Sequence, residues 1–158
     1  MKITVRAAIA VFLLDQISKY LVVHWLGLAS RGRIDVLPPF LDFRMAWNRG
    51  INFGLGGGAV SHWILILVAL AIVAGIIIWL RRSRPCTMAQ ISGGLLIGGA
   101  LGNVMDRLLY GAVADFINMS CCGLDNPYSF NIADIAVFAG AIGLILFAPG
   151  KETPKNTP

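Results

Sequence analysis

Residues 63–80 read WILILVALAIVAGIIIWL, eighteen positions without a charge or a proline. That nearly meets the ~20 apolar residues a helix needs to cross a bilayer. Hydrocarbon offers no partner for backbone N–H and C=O groups, so the run is a helix whose hydrogen bonds are internal. Three further apolar stretches surround it. Residues 7–28 are interrupted by Asp15, Lys19 and His24; residues 88–105 are rich in glycine; residues 132–148 carry Asp134 near their start. The expectation is an α-helical integral membrane protein with four transmembrane helices, forming one domain over residues 1–158.

Composition supports this class. The chain is 57% hydrophobic and only 13% charged, against about 25% charged in soluble domains. So little polar surface cannot cover that much apolar surface in water. The net charge of +5 does not indicate nucleic acid, because the basic residues flank the apolar runs and form no single patch.

Basic residues also orient the chain. Lys2, Arg6, Arg81, Arg82, Arg84, Lys151 and Lys155 fall on one side, with Glu152 as the acid there. Arg31, Arg33, Arg44, Arg49 and Arg107 fall on the other, offset by Asp35, Asp42, Asp106, Asp115 and Asp125. Both termini are therefore expected in the cytoplasm. The beginning, Met1-Lys2 through Arg6 and then an apolar run, resembles a signal peptide. Asp15 and Lys19 inside that run argue for a retained helix, where their spacing of four lets them pair.

The outer loop, residues 29–62, is long enough to expect a function of its own. Its alternating stretch from Phe40 to Met45 predicts a short strand, and Gly54 to Gly58 a flexible turn. The tail from residue 150 is polar and contains proline, as disordered ends do.

In the third apolar run, Gly94, Gly98 and Gly102 recur every four residues, a spacing that lets helix backbones approach closely. Packing alone accounts for them. Asn103, Asp106 and Arg107 then share one face at the end of that helix, as a polar terminus or as a buttress for the next loop. Asn131 is a candidate N-cap for the fourth helix, which puts Asp134 in a first turn that favours negative charge.

With both termini inside, the third helix ends and the fourth begins on the outer side. Asp115 and Asp134 can then meet. Carboxylates near lipid are costly and read as functional by default. Two close carboxylates do not both ionise readily, so one can activate water while the other protonates a carbonyl. Other chemistries fare worse. His24 and His62 match no metal spacing; Ser18, Ser61 and Ser92 have no triad context. Three cysteines leave at least one unpaired, and none is assigned a role. No metal or cofactor is expected. A small proton-coupled transporter subunit using Asp15, Lys19, Asp115 and Asp134 as a relay is the rival reading.

Four pieces of sequence resemble the type II, or lipoprotein, signal peptidases: Asp15-Gln16-Ile17-Ser18-Lys19, Asn48-Arg49-Gly50-Ile51-Asn52-Phe53, Gly102 to Arg107 with Val113-Ala114-Asp115-Phe116, and Phe130-Asn131-Ile132-Ala133-Asp134. The resemblance implies an aspartic endopeptidase of the bacterial inner membrane, with its site at the outer face. It would act as a monomer among membrane lipids on diacylglyceryl-modified prolipoproteins, cutting before the lipidated cysteine. The implied catalytic pair is Asp115 and Asp134. Asp15, Lys19, Asn48, Gly50, Asn103, Asp106, Arg107, Asn131 and Ala133 match supporting positions. A small extracytoplasmic β-sheet cradle and a lid, built largely from residues 29–62, and sensitivity to the lipopeptide globomycin are also implied. Ala114 and Asn52 depart from the residues common there, and Cys121-Cys122 has no counterpart.

Overall fold

The computed structural model describes residues 1–50, 62–120 and 126–148. Cys121-Cys122, the tail and the glycine run expected to form a flexible turn lie outside the described residues.

Helix α1 spans Lys2–Lys19 and continues as a π-helical segment, Tyr20–Trp25, ahead of the short α2, Leu28–Arg31. The first helical segment thus begins earlier than residue 7 and ends before residue 28. Strands β1 (Arg33–Leu37) and β2 (Leu41–Asn48) follow as an antiparallel pair. Then come α3 (His62–Ser83), α4 (Thr87–Tyr110), β3 (Val113–Met119) and α5 (Ile132–Phe147). Helix α4 runs five residues past the expected end, which carries Asp106 and Arg107 on a continuous helix.

Helices α1 with its extension, α3 and α4 are each long and apolar enough to cross a membrane. Helix α5 is apolar but has 16 residues, about 24 Å at 1.5 Å per residue. Large apolar side chains on the outside of the bundle, such as Leu67, Phe138 and Ile145, stay exposed, as a lipid-facing surface requires.

Helix α4 is the hub, packing on α1, α3 and α5. Its glycines make this possible. A Cβ on Gly94 would stand 2.6 Å from Thr4 O, and one on Gly98 would collide with Ala8 O, both on α1. A Cβ on Gly99 would reach 2.5 Å from Ala133 O on α5. The four-residue spacing marks the face toward α1; Gly99 and, from α5, Gly140 and Gly143 open the other face.

The sheet has the order β1-β2-β3 and is antiparallel throughout. Two of its strands lie within residues 29–62, and the third comes from residues 113–119, just after α4, where Gly111 at φ 70° ends the helix. A register shift separates the pairs Phe43↔Ile117 and Ala46↔Asp115. Three steps on β2 match two on β3, so one residue is extra: a bulge, which changes strand phase. Beyond it Ala46 opposes Asp115, and Asn48, two residues on, emerges on the same side.

Candidate active site

The polar groups gather at the end of the bundle that joins the sheet. Its base is an ionic cluster. Lys19 Nζ lies 2.7 Å from Asp15 Oδ2 and 2.8 Å from Asp106 Oδ2, with all three side chains buried. Asp15 accepts the Ala133 N–H at 2.9 Å, and Asp106 accepts the Ala114 N–H at 3.0 Å. A buried charge must be paired and hydrogen-bonded to be tolerated. Here the pairing ties α1 to α4, to the first turn of α5 and to β3. Gln16 adds to it, donating to Asp15 Oδ2 and Asp106 Oδ1 at 3.1 Å each. Gln16 had no role in the sequence analysis, because a residue adjacent to Asp15 falls on no common helical face with it.

Above the cluster stand the two aspartates. Asp134 is the third residue of α5 and closes a capping box with Asn131. Its N–H donates to Asn131 Oδ1 at 2.9 Å, and its Oδ2 accepts the Asn131 N–H at 3.2 Å. Its Oδ1 accepts from Asn103 Nδ2 at 2.8 Å. Asp115, on β3, is 3% exposed. Its Oδ1 accepts from Asn131 Nδ2 at 2.6 Å and its Oδ2 from Asn48 Nδ2 at 3.1 Å. Burial first, and then the nearby charge of Asp134, raise the Asp115 carboxyl from 3.8 to about 6; the bonds from Asn48 and Asn131 oppose the rise.

Each remaining residue has a definite contact. Gly50, at φ 105°, donates its N–H to Asn48 Oδ1 at 3.0 Å. That fixes the Asn48 amide so its NH2 points at Asp115, in a conformation that suits glycine. Arg107 Nη1 donates to Asn103 O at 3.2 Å, while its buried Nε has no partner among the described residues. Its charge acts on both Asp115 and Asp134. Ala133 is fully buried against the ionic cluster. Every site residue expected from sequence therefore falls in one connected assembly; the spacing of Asn103, Asp106 and Arg107 reads as a buttress. Among the described residues no group of His, Cys, Asp or Glu can hold a metal ion.

The assembly thus holds two aspartates joined through Asn131, one with a raised carboxyl and each bonded by an asparagine amide. The sequence model described as signal peptidase (SPase) II matches residues 7–148. A lipoprotein signal peptidase of Methylorubrum extorquens is 42% identical over 154 residues, covering 95% of this chain and 88% of that protein. One from Rhodopseudomonas palustris is 43% identical over 150 residues, covering 91% and 90%. A bacterial membrane enzyme solved by the in meso method at 1.9 Å superposes with a TM-score of 0.79 at 28% identity, covering 92% of each chain. With the family model matched over most of its length, the chain belongs to the signal peptidase II family.

Proposed function

We propose that Asp115 and Asp134 form the catalytic dyad of a membrane endopeptidase that removes the signal peptide from diacylglyceryl-modified prolipoproteins, cutting before the lipidated cysteine. Removal of signal peptides from prolipoproteins follows from family membership. The observation that carries the dyad is Asn131, which bonds Asp115 through its side chain and Asp134 through its capping box.

The chemistry needs one proton shared between two carboxyls. The raised Asp115 carboxyl is suited to hold that proton, and Asp134, in the first turn of α5, to act as the base. Asp134 takes a proton from water as the oxygen attacks the scissile carbonyl. Asp115 gives its proton to the carbonyl oxygen, leaving a gem-diol. The proton held by Asp134 then passes to the amide nitrogen, the C–N bond breaks, and Asp115 recovers a proton as the carboxyl product forms. Arg107 Nε, without a partner among the described residues, offers a donor to the peptide backbone beside this site. The substrate's acyl chains hold it in the bilayer, each buried methylene contributing about 0.8 kcal/mol.

In this reading α5 is a fourth, short span, both termini are cytoplasmic, and the sheet cradles the substrate at the outer face of the inner membrane. The enzyme works as a monomer and is inhibited by globomycin. A proton relay would string its acids along the membrane depth; Asp15, Asp106, Asp115 and Asp134 instead cluster at one end. The test is to incubate the purified protein with a diacylated prolipoprotein and follow the shortened product on a gel. Wild type cleaves; Asp115→Asn and Asp134→Asn each lose activity. Cleavage by either variant at the wild-type rate sinks the dyad.

A further inference from the structure

The other end of the bundle carries a second polar feature that peptide cleavage does not use. Met1, Leu80, Arg81, Arg84 and Gln90 line a cavity of about 420 Å3 where α1, α3 and α4 come together. Its floor is held in place. The Met1 main-chain nitrogen donates to Gln90 Oε1 at 2.8 Å, and Gln90 Nε2 donates to Pro85 O at 3.0 Å. Leu80 is buried against Gly93, where a Cβ would meet it at 2.7 Å. Among the described residues, no carboxylate lies within ion-pair distance of Arg81 or Arg84. Arg84 also sits at φ 44°, a conformation uncommon for any residue but glycine.

An apolar cavity lies further along α1. Helices α1 and α3 both pack on α4 but scarcely on each other. Ala8, Ile9, Phe12 and Leu13 of α1 and Leu101 of α4 line a cavity of about 260 Å3. It lies about 10–18 Å along α1 from Met1, at 1.5 Å per residue. Ala8, Leu101 and Leu80 belong to one packed cluster with Val73 and Ile97, so both cavities border the same wall. A basic pocket at the end of a span, continued by an apolar crevice, matches an amphiphile with an anionic head.

We propose that this end of the bundle binds one anionic membrane phospholipid, its phosphate between Arg81 and Arg84 and an acyl chain along α1 and α4 against Ala8, Phe12 and Leu101. Basic pockets between spanning helices recognise such headgroups. The rival explanation is the general bias of basic residues toward one side of a membrane. Arg82 separates the two, since it is exposed and charged like its neighbours but does not line the cavity.

The experiment is native mass spectrometry of the detergent-purified protein, titrated with phosphatidylglycerol or phosphatidylcholine, and with soluble glycerol phosphate as a third arm. Wild type and Arg82→Gln should retain one phosphatidylglycerol in preference to phosphatidylcholine. Arg81→Gln should weaken that retention roughly fivefold. Arg84→Gly should do the same while unfolding no earlier than wild type, because glycine accepts the backbone conformation. Equal loss in all three arginine variants, or no headgroup preference in wild type, overturns the proposal. Glycerol phosphate binding as tightly as the lipid also overturns it, in favour of a soluble anion.

Discussion

The Asn131 side-chain amide donates to Asp115 Oδ1 at 2.6 Å while its oxygen caps the helix that carries Asp134. One side chain thus sets the first turn of α5 and its distance from β3. The two carboxyls are joined through a residue that never titrates.

Substituting Asn131 therefore separates folding from catalysis. Asn131→Ala loses the cap, a cost of about 1 kcal/mol, and frees Asp115 from its nearest donor. Asn131→Asp keeps a capping oxygen but sets a third carboxylate against Asp115. Cleavage assays and thermal unfolding together should show both variants nearly inactive, with the aspartate variant the closer of the two to wild-type stability at low pH. Wild-type activity in Asn131→Ala would refute the coupling.

The Asp115 carboxyl gives a signed pH effect. Its ordinary value is 3.8 and its folded value about 6, so between these the folded state holds the extra proton. Its contribution to stability is present below 3.8 and lost as pH rises through about 6. Asp115→Asn removes this dependence. Relative to wild type, the variant should gain up to about 2–3 kcal/mol between acid and neutral pH, measured by denaturant unfolding at both. A constant difference between the two proteins would contradict the raised value.

Asn48 tunes the same carboxyl from the other side. Its donated bond favours the charged form of Asp115. Asn48→Ala should move the basic limb of kcat/KM to higher pH, because the protonated partner then survives longer. An unmoved limb would mean that Asp115 is not the group titrating.

Lys19 compensates two buried acids. Lys19→Met leaves Asp15 and Asp106 unpaired, and breaking a buried pair in this way costs about 3–5 kcal/mol. Adding Asp106→Asn should recover part of the loss. Thermal unfolding in detergent reads both; absence of any recovery would point to packing rather than charge.

Close packing of the hub is tested at two glycines. Gly99→Ala drives a methyl into the α5 backbone at Ala133, whereas Gly75 has nothing within 4 Å of an added Cβ. Gly99→Ala should cost about 1–3 kcal/mol and lower activity by displacing Asp134. Gly75→Ala should fold and cleave as wild type does.

Much of this was legible in the chain. Residues 63–80 are so uniformly apolar that only a membrane helix suits them. The i, i+4 spacing of Asp15 with Lys19 gave their ion pair, and Asn131 with Asp134 carried the cap, because both are local events within one helical turn. What stayed hidden was non-local. Nothing near Val113–Met119 distinguishes a strand that pairs with β2 from a loop leaving a helix. The bulge between Phe43 and Ala46, which turns Asn48 toward Asp115, leaves no trace in either strand alone.

The sequence by itself determined the class of protein, its apolar helices and the residues able to carry the chemistry, since hydropathy and helical spacing act within a segment. Only the tertiary structure decided that Asp115 and Asp134 share Asn131, that Gln16 bridges Asp15 and Asp106, and that Arg81 and Arg84 line one cavity. Those relations depend on how separate segments approach one another. Here that approach is set by glycines on both faces of α4 and by the strand phase after the bulge.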